Sequence, residues 1–296
     1  MVNKNNKLIS QGFKQAEKIT KKNSKTFYLC SFFLPKQKRL AAYSVYSICR
    51  LSDDAADIST NRKKDLAKIQ DNIQKCYNNQ ELFDPILCAF RKTIQNYDIP
   101  KKYFDELLEG MSMDLEKTRY TNFDELYTYC YRVAGVIGLI MLKIFNYTNP
   151  LAELHAVELG IAFQLTNIAR DIKEDFELGR IYIPKQNLMK HKITESDIKT
   201  HNTKENFKNL MIDHIKLTRL YYSKASRGIQ FIADTRCRFV TFLMMTLYSE
   251  ILNEIERNNY NIFSKKVFIS LKTKIIKTLY CIVQFFKNDF LVSPPR

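Results

Sequence analysis

Two stretches of the sequence carry polar side chains at a spacing that could support chemistry. In the first stretch, Tyr46, Arg50, Asp53 and Asp57 follow one another at intervals of four, three and four residues. An α-helix has about 3.6 residues per turn, so these side chains would lie along one narrow stripe. The residues between them are largely apolar. The segment is therefore predicted to be a buried helix with one polar ladder on it.

The second stretch repeats this arrangement. Gln164, Asn167, Asp171 and Asp175 again fall on one helical stripe, and the apolar run LGIAF at 159–163 comes directly before it. Both ladders end in two aspartates that are four residues apart. We refer to them below as the first ladder (Tyr46 to Asp57) and the second ladder (Gln164 to Asp175).

The side-chain types indicate which ligand the ladders would hold. Buried carboxylates are costly unless they are paired or bound to metal, so two facing pairs require cations between them. No His or Cys stands with the carboxylates of either ladder, which disfavours zinc and copper. Oxygen ligands suit Mg²⁺ or Mn²⁺, and Mg²⁺ prefers a few carboxylates, water and phosphate oxygens. Arg50 and Arg170 are good phosphate donors. Carboxylates, Mg²⁺ and arginines together predict a diphosphate ligand, although other phosphorylated substrates would also fit. The alternative is that the aspartates form an exposed acidic stripe with ordinary surface ion pairs.

The elements that position these ladders are predicted to be helices. Only 7 glycines and 7 prolines occur in 296 residues, too few for the turns of a multi-stranded β fold. The sequence has no glycine-rich loop, which argues against a Rossmann or P-loop nucleotide site. Helical periodicity instead predicts one all-α domain over 1–296, with about eight or more long helices. The strongest segments are 40–58, 66–77, 104–115, 123–147, 151–178, 207–233, 239–256 and 267–286.

Charge and composition limit the partners. The chain has 47 basic and 31 acidic residues and a formal charge of +16, which favours an anionic partner unless biased codon composition explains the lysines.

The seven cysteines are scattered, as in reduced, buried thiols. The N-terminus lacks the apolar core of a signal peptide. The longest apolar run, 133–142, is shorter than the ~20 residues that a membrane span needs.

The motifs resemble those of the squalene/phytoene synthase family of all-α isoprenoid synthases. The resemblance covers about 23–268, and five motifs occur in the family's order. They are NSKTFY (23–28), YSICRLSDDAAD (46–57), GMSMDLEKTRY (110–120), YCYRVAGVIG (129–138) and QLTNIARDIKEDFELGRIYIP (164–184).

The resemblance implies a helical bundle around one central cavity, with the ladders facing each other at its mouth. It assigns metal binding, by Mg²⁺ or by Mn²⁺ in its place, to Asp53, Asp57, Asn167, Asp171 and Asp175. Tyr129 and Tyr248 would lie near the reacting carbons. The substrate-binding residues would be Ser24, Lys25, Phe27, Tyr46, Arg50, Gln164, Asn167, Arg170 and Lys265. Lys265 and Lys266 stand where relatives usually carry an arginine.

The reaction implied by the resemblance is the head-to-head (1′-1) joining of two prenyl diphosphates through a cyclopropyl diphosphate intermediate. Two motifs are most similar to bacterial members that join two geranylgeranyl diphosphates into phytoene, in carotenoid biosynthesis. Thirty-carbon relatives that use farnesyl diphosphate, and make dehydrosqualene, presqualene diphosphate or squalene, share nearly all the motifs. No dinucleotide loop is present, so NADPH is not expected.

Two other classes of function fit the sequence less well. A non-catalytic family member acting in assembly would be expected to lose metal-binding aspartates, yet all four are present. A nucleic-acid binder would cluster basic and stacking aromatic residues, and no such cluster is evident. We expect a cytoplasmic enzyme, with peripheral contact at the inner face of the membrane through its basic C-terminal part. The sequence does not indicate an oligomeric state.

Overall fold

The prediction of an all-α fold is confirmed. The computed structural model describes residues 2–57, 59–201 and 204–287, and 77% of the structure is helical. Two isolated bridges, Arg119 with Ile181 and Tyr147 with Ile232, are the nearest approach to a sheet among these residues. The helices are α1 (Val2–Asn23), α2 (Lys25–Ser31), α3 (Lys36–Asp57), α4 (Arg62–Tyr77), α5 (Pro85–Asn96), α6 (Lys101–Glu116), α7 (Phe123–Cys130), α8 (Val136–Phe145), α9 (Leu151–Arg170), α10 (Ile172–Glu177), α11 (Lys185–Lys190), α12 (Glu195–Lys199), α13 (Glu205–Ser226), α14 (Thr235–Arg257) and α15 (Leu271–Phe286), with a π-helical turn at Tyr131–Gly135 and a 3₁₀ turn at Ile229–Phe231.

Helix α9 lies at the centre of the bundle and carries Gln164 and Asn167, the first half of the second ladder. It packs against α8, α13 and α14. Ile161, Ala162 and Leu165 on α9 are completely buried. The first ladder lies on α3, which packs against α1, α4 and α5. The arrangement thus starts each ladder on a helix that is held on several sides.

The segment 123–147, predicted as one helix, is divided in the structure. Helix α7 ends at Cys130, and the π-helical turn Tyr131–Gly135 leads into α8. Two glycines bring α8 and α9 into backbone contact beside this turn. A Cβ atom on Gly138 would lie 2.1 Å from the Ala156 carbonyl oxygen, and one on Gly160 would lie 2.2 Å from the Ala134 carbonyl oxygen. These glycines therefore permit close helix packing.

The stretch Phe123–Phe145 is long and apolar enough to cross a membrane when judged by length and composition alone. Its most apolar window has a mean hydropathy of 1.4, and half of that window is buried inside the structure. A central core helix has the same properties, so this stretch is weak evidence for a span.

Helices α1 and α5 were not among the strongest sequence predictions. Much of α1 is polar, yet its contact side is closely packed, because Ala16 and Thr20 are completely buried. A Cβ atom on Gly12 would lie within 1.8 Å of the Pro85 carbonyl oxygen, at the start of α5. Tertiary contact with α5 and α3 thus stabilises a helix most of whose residues are polar.

We predict that Gly138→Ala destabilises the protein by about 1–3 kcal/mol, because the added methyl group would overlap the α9 backbone. Urea unfolding of the two proteins measures the loss. Gly179→Asn is the control, since Gly179 has a φ of +81° and open space around its Cβ position, and Asn tolerates this conformation. Equal stabilities of Gly138→Ala and wild type would contradict the packing argument.

Candidate active site

An apolar cavity of about 330 Å³ lies between α2, α3, α8, α9, α13 and α14. On the α8 side its wall includes Val133, Ala134, Ile137 and Gly138. Six of the substrate-binding or catalytic candidates also line it: Ser24, Phe27, Tyr46, Gln164, Asn167 and Tyr248.

The first ladder leads out of this cavity along α3. Tyr46 lines the wall, Asp53 follows about two turns later, and Asp57 is the last residue of the helix. Arg50 lies between them and donates from Nη2 to Asp54 Oδ1 at 2.5 Å. The Arg50 Nε is buried and has no partner among the described residues. An orphaned guanidinium N–H of this kind is suited to an anionic ligand.

The second ladder follows α9 toward the same end of the cavity. Its helix was predicted to continue to residue 178, but α9 ends at Arg170 and α10 begins at Ile172. Asp171 stands between them with a φ of −105°. The Arg170 guanidinium donates to both of its carboxylate oxygens, at 2.7 and 2.5 Å. The local break thus coincides with an arginine clamp on the first aspartate of the pair.

Arg180 connects the two ladders. Gly179, with its left-handed backbone, follows the end of α10, and the Arg180 backbone N–H donates to the Asp175 carbonyl at 2.8 Å. The Arg180 side chain is only 5% exposed and donates from Nη1 to Asp57 Oδ1 at 2.8 Å. A residue that follows the second ladder therefore neutralises the end of the first.

The extended segment that carries Arg180 is held by backbone hydrogen bonds. The Ile181 N–H donates to the Thr118 carbonyl at 3.0 Å, and the Lys185 N–H donates to the Tyr120 carbonyl at 2.8 Å. These bonds join the end of the GRIYIP motif to the end of the GMSMDLEKTRY motif. Two motifs that are far apart in the sequence therefore form one support beneath the ladders.

Asp114 lies in this support and is held by two tyrosines. Tyr129 donates to Oδ2 at 2.9 Å, and Tyr182 donates to Oδ1 at 2.7 Å. The hydroxyl groups of the two tyrosines are 3.1 Å apart. Burial, with the Asp114 charge second, raises the pKa of Tyr129 well above its usual value. Tyr129 therefore remains protonated and acts as a hydrogen-bond donor to Asp114; it is not among the cavity-lining residues.

Two aspartates lack a full charge partner and have strongly raised pKa values. Burial raises the pKa of Asp53 to about 7; Arg50 opposes this shift, and Asp57 and other nearby carboxylates add to it. For Asp175, burial is again the largest cause, Asp171 and Asp114 contribute, and the pKa is raised to about 8. Each value reports a carboxylate that would gain from an additional nearby cation.

The balance of charge at the mouth is negative. The nearby cations among the described residues are Arg50, Arg170, Arg180 and Lys266, whose contacts reach Asp54, Asp171, Asp57 and Glu174. Among the described residues, Asp53 and Asp175 form no ion pair, and Asp114 accepts hydrogen bonds from two tyrosines. This arrangement fits a bound divalent cation, which would replace proton uptake as the means of neutralising Asp53 and Asp175.

The donor set does not form a closed metal cage. No three His, Cys, Asp or Glu side chains are grouped as a metal site within the residues that the structure describes. Mg²⁺ characteristically takes one or two protein carboxylates and completes its shell with water and substrate phosphates. The ladders therefore fit an ion that shares its ligands with a phosphorylated substrate.

The lysine candidates differ in position. Lys266 lies at the second ladder, with Nζ 3.0 Å from Glu174 Oε1 and 3.6 Å from Asp171 Oδ1. Lys265 is exposed, as is Lys25, and neither lines the cavity. The structure therefore favours Lys266 over Lys265 as the basic group at the site.

Sequence reasoning missed Arg180 and Tyr182 as residues of the site. Both belong to the end of the motif at 164–184, and neither was among the predicted site residues. An arginine within an otherwise apolar motif, next to a predicted helix end, is the signal that could have identified the first of them. Asp114 was not among the predicted site residues either.

Comparison with known proteins finds relatives that match most of the chain. The model of the squalene/phytoene synthase family matches residues 20–273. A chloroplastic phytoene synthase from an Oncidium hybrid cultivar is 32% identical over 278 residues, which cover 91% of this chain and 67% of that protein. The 15-cis-phytoene synthase of Synechococcus elongatus is 32% identical over 282 residues, covering 90% of this chain and 91% of that protein.

Solved structures have the same fold. A dehydrosqualene synthase crystallised with a ligand superimposes with a TM-score of 0.89 at 28% identity, covering 94% of this chain and 98% of that chain. A squalene synthase from Alicyclobacillus acidocaldarius gives a TM-score of 0.79 at 25% identity, with 86% of this chain and 96% of that chain covered. The similarity extends beyond the region of the five motifs.

The raised carboxyl pKa values predict an unusual dependence of stability on pH. An unfolded Asp has a pKa of about 3.9, so between about pH 4 and pH 8 the unfolded chain releases the Asp175 proton while the folded chain retains it. Without divalent metal, the stabilisation of the folded state by this retained proton is complete below that pH window and is lost as the pH rises through it. We expect Asp175→Asn to be more stable than wild type at pH 8 by about 1 kcal/mol or more.

Denaturant unfolding in EDTA at pH 5 and pH 8 measures the effect. Glu177→Gln, on the same short helix, is the control, and we expect it to change the pH dependence little, since Glu177 is exposed. If Asp175→Asn were no more stable than wild type at pH 8, the inference that the Asp175 carboxylate lacks a neutralising partner would be wrong.

Proposed function

Because this chain belongs to the squalene/phytoene synthase family, we propose that it is a phytoene synthase. It is a prenyltransferase that joins two geranylgeranyl diphosphates head to head (1′-1) into phytoene, in carotenoid biosynthesis. The observation that carries the proposal is the pair of aspartate ladders, bridged by Arg180 at the mouth of an apolar cavity. This site can hold a charged diphosphate head and an oily chain at the same time.

Members of the family use a divalent metal, and we propose that this one uses Mg²⁺, which Mn²⁺ can replace. Asp53, Asp57, Asp171 and Asp175 would hold it, with Asn167 as a further oxygen donor. When bound, such an ion acts as a Lewis acid that stabilises a departing diphosphate.

The arginines at the mouth bind and orient the diphosphate oxygens. Arg50 has a buried Nε without a partner, and Arg170 and Arg180 present guanidinium groups at the second and first ladders. Guanidinium forks match phosphate geometry and act as paired donors. Lys266 adds a point charge at the end of the second ladder. These groups keep the diphosphate at the mouth while its chain enters the cavity.

The cavity wall protects the cationic carbons. After the first diphosphate departs, the double bond of the second substrate attacks the allylic cation, and loss of a proton closes the ring of the cyclopropyl diphosphate. Departure of the second diphosphate, a rearrangement and loss of a second proton follow, and the released diphosphates can accept both protons. Water would quench these cations, and the apolar wall excludes it. Two aromatic pairs border the path, Phe163 with Tyr248 at 4.5 Å and Phe27 with Tyr46 at 5.9 Å. Ring faces can stabilise a cation by about 0.5–2 kcal/mol each.

A thirty-carbon product is the second candidate. The observation in its favour is the close superposition on a dehydrosqualene synthase. The two candidates differ in substrate length and not in the chemistry at the mouth, so they share every charged residue named above.

Incubation of the purified protein with Mg²⁺ and either geranylgeranyl or farnesyl diphosphate tests the function. We expect phytoene from the twenty-carbon substrate and slower turnover of the shorter one. Asp53→Asn should reduce the rate by at least about a hundredfold, because several kcal/mol of charge stabilisation would be lost. Farnesyl diphosphate as the better substrate would select the thirty-carbon candidate. No hydrocarbon from either would contradict the assignment.

The far end of the cavity should limit the length of the chain. Ala152 lines the cavity in the first turn of α9, roughly 22 Å along the helix from Asn167. We predict that Ala152→Leu lowers kcat/KM for geranylgeranyl diphosphate at least about tenfold relative to farnesyl diphosphate. Leu154→Ala is the control, because Leu154 is 54% exposed on the same turn. An equal fall with both substrates would contradict this placement.

A further inference from the structure

Helix α15 presents an apolar face to solvent. Seven large side chains on it are between 47% and 83% exposed: Leu271, Ile275, Ile276, Leu279, Tyr280, Val283 and Phe286. At about 100° per residue they occupy one half of the helix surface over its full length. Scattered exposed apolar residues are ordinary, whereas a contiguous face of this size marks an interaction surface.

The opposite side of α15 is held by the protein. Cys281 is completely buried, the Phe285 ring lies 5.2 Å from Phe239 on α14, and Lys277 forms a 2.7 Å ion pair with the buried Glu250. The helix is therefore fixed in orientation, and its apolar face is directed outward by packing on the other side.

Two more exposed aromatics lie close to α15. Phe33 is 37% exposed and Phe32 is 53% exposed, just after α2. The Phe33 ring is 5.0 Å from Phe239, the same ring that contacts Phe285. Arg39 lies over Phe32 at 5.5 Å. Aromatic and basic side chains thus extend the surface beyond the helix.

The chain segment that contains this helix carries charges of one sign. From residue 257 to residue 287 the sequence contains seven Lys or Arg residues and no Asp or Glu. Lys272 is exposed at the first turn of α15, and Lys287 is exposed at its end. An apolar helical face with lysines at its borders has the chemistry of a helix that lies in the interface of an anionic bilayer.

We propose that the exposed face of α15, together with Phe32 and Phe33, is a docking surface for an anionic lipid membrane. The apolar side chains enter the boundary of the bilayer, and the flanking lysines contact anionic headgroups. Helix α14 separates α15 from the cavity, because Phe239 contacts α15 while Val240 and Met244 line the cavity wall. Docking would place the cavity one helix away from the bilayer. The proposal does not depend on which prenyl diphosphate is the substrate.

Flotation of the full chain with lipid vesicles tests the proposal. We expect binding to vesicles that contain phosphatidylglycerol, weaker binding to pure phosphatidylcholine, and a decrease at high salt. The triple variant Leu271→Ser, Leu279→Ser and Phe286→Ser should bind at least about tenfold more weakly. The single variant Leu279→Ser should give a smaller loss in the same direction, and Lys272→Gln with Lys287→Gln should weaken the preference for the anionic vesicles.

The matched control removes exposed apolar side chains elsewhere. Phe83, Met189 and Leu220 are 70%, 68% and 50% exposed, and replacing all three with Ser should leave vesicle binding unchanged. Wild-type binding by both the triple and the single α15 variants would overturn the proposal, as would a wild-type protein that does not float. If the triple variant instead converted a dimer to a monomer in sedimentation velocity while retaining vesicle binding, the face would be an interface between copies, and the proposal would also be wrong.

Discussion

The structure depends on one electrostatic constraint, the close approach of two aspartate ladders at the mouth of an apolar cavity. Partial burial removes water from these carboxylates, and the nearby arginines and lysine do not neutralise all of them. Asp53 and Asp175 therefore hold protons up to near-neutral or higher pH. A site with this excess of negative charge attracts additional cations, so it can bind a metal ion that also coordinates a diphosphate.

The remainder of the fold keeps this repulsive arrangement in place. The long helices α3 and α9 are packed on several sides, and Arg180 bridges from the second ladder to Asp57. Asp114 is held by Tyr129 and Tyr182 and adds negative charge near both ladders. The glycine contacts between α8 and α9 bring the cavity walls together. Stability is thus provided by helix packing, while the mouth retains the uncompensated charge on which the proposed chemistry depends.

The fold and half of the site could be predicted from the sequence because helical periodicity reports burial directly. The two ladders were visible as stripes, and the low glycine content excluded sheets. The sequence could not show that Asp171 would break its helix or that Arg170 would clamp the adjacent carboxylate. Arg180 was missed because its role arises from a contact across 123 residues, and Lys266 was not distinguished from Lys265 because only the fold orients them. Helix α1 was missed because most of its residues are polar, and a narrow apolar side packed against α5 and α3 stabilises it.

The most direct test of the central claim is a crystal structure of the protein with Mn²⁺ and a non-reactive thiodiphosphate analogue of the substrate. We predict anomalous density between Asp53 and Asp57 on one side and Asp171 and Asp175 on the other, with the diphosphate oxygens completing the coordination. Manganese bound elsewhere, or a diphosphate held at the mouth with no metal between the ladders, would contradict the account.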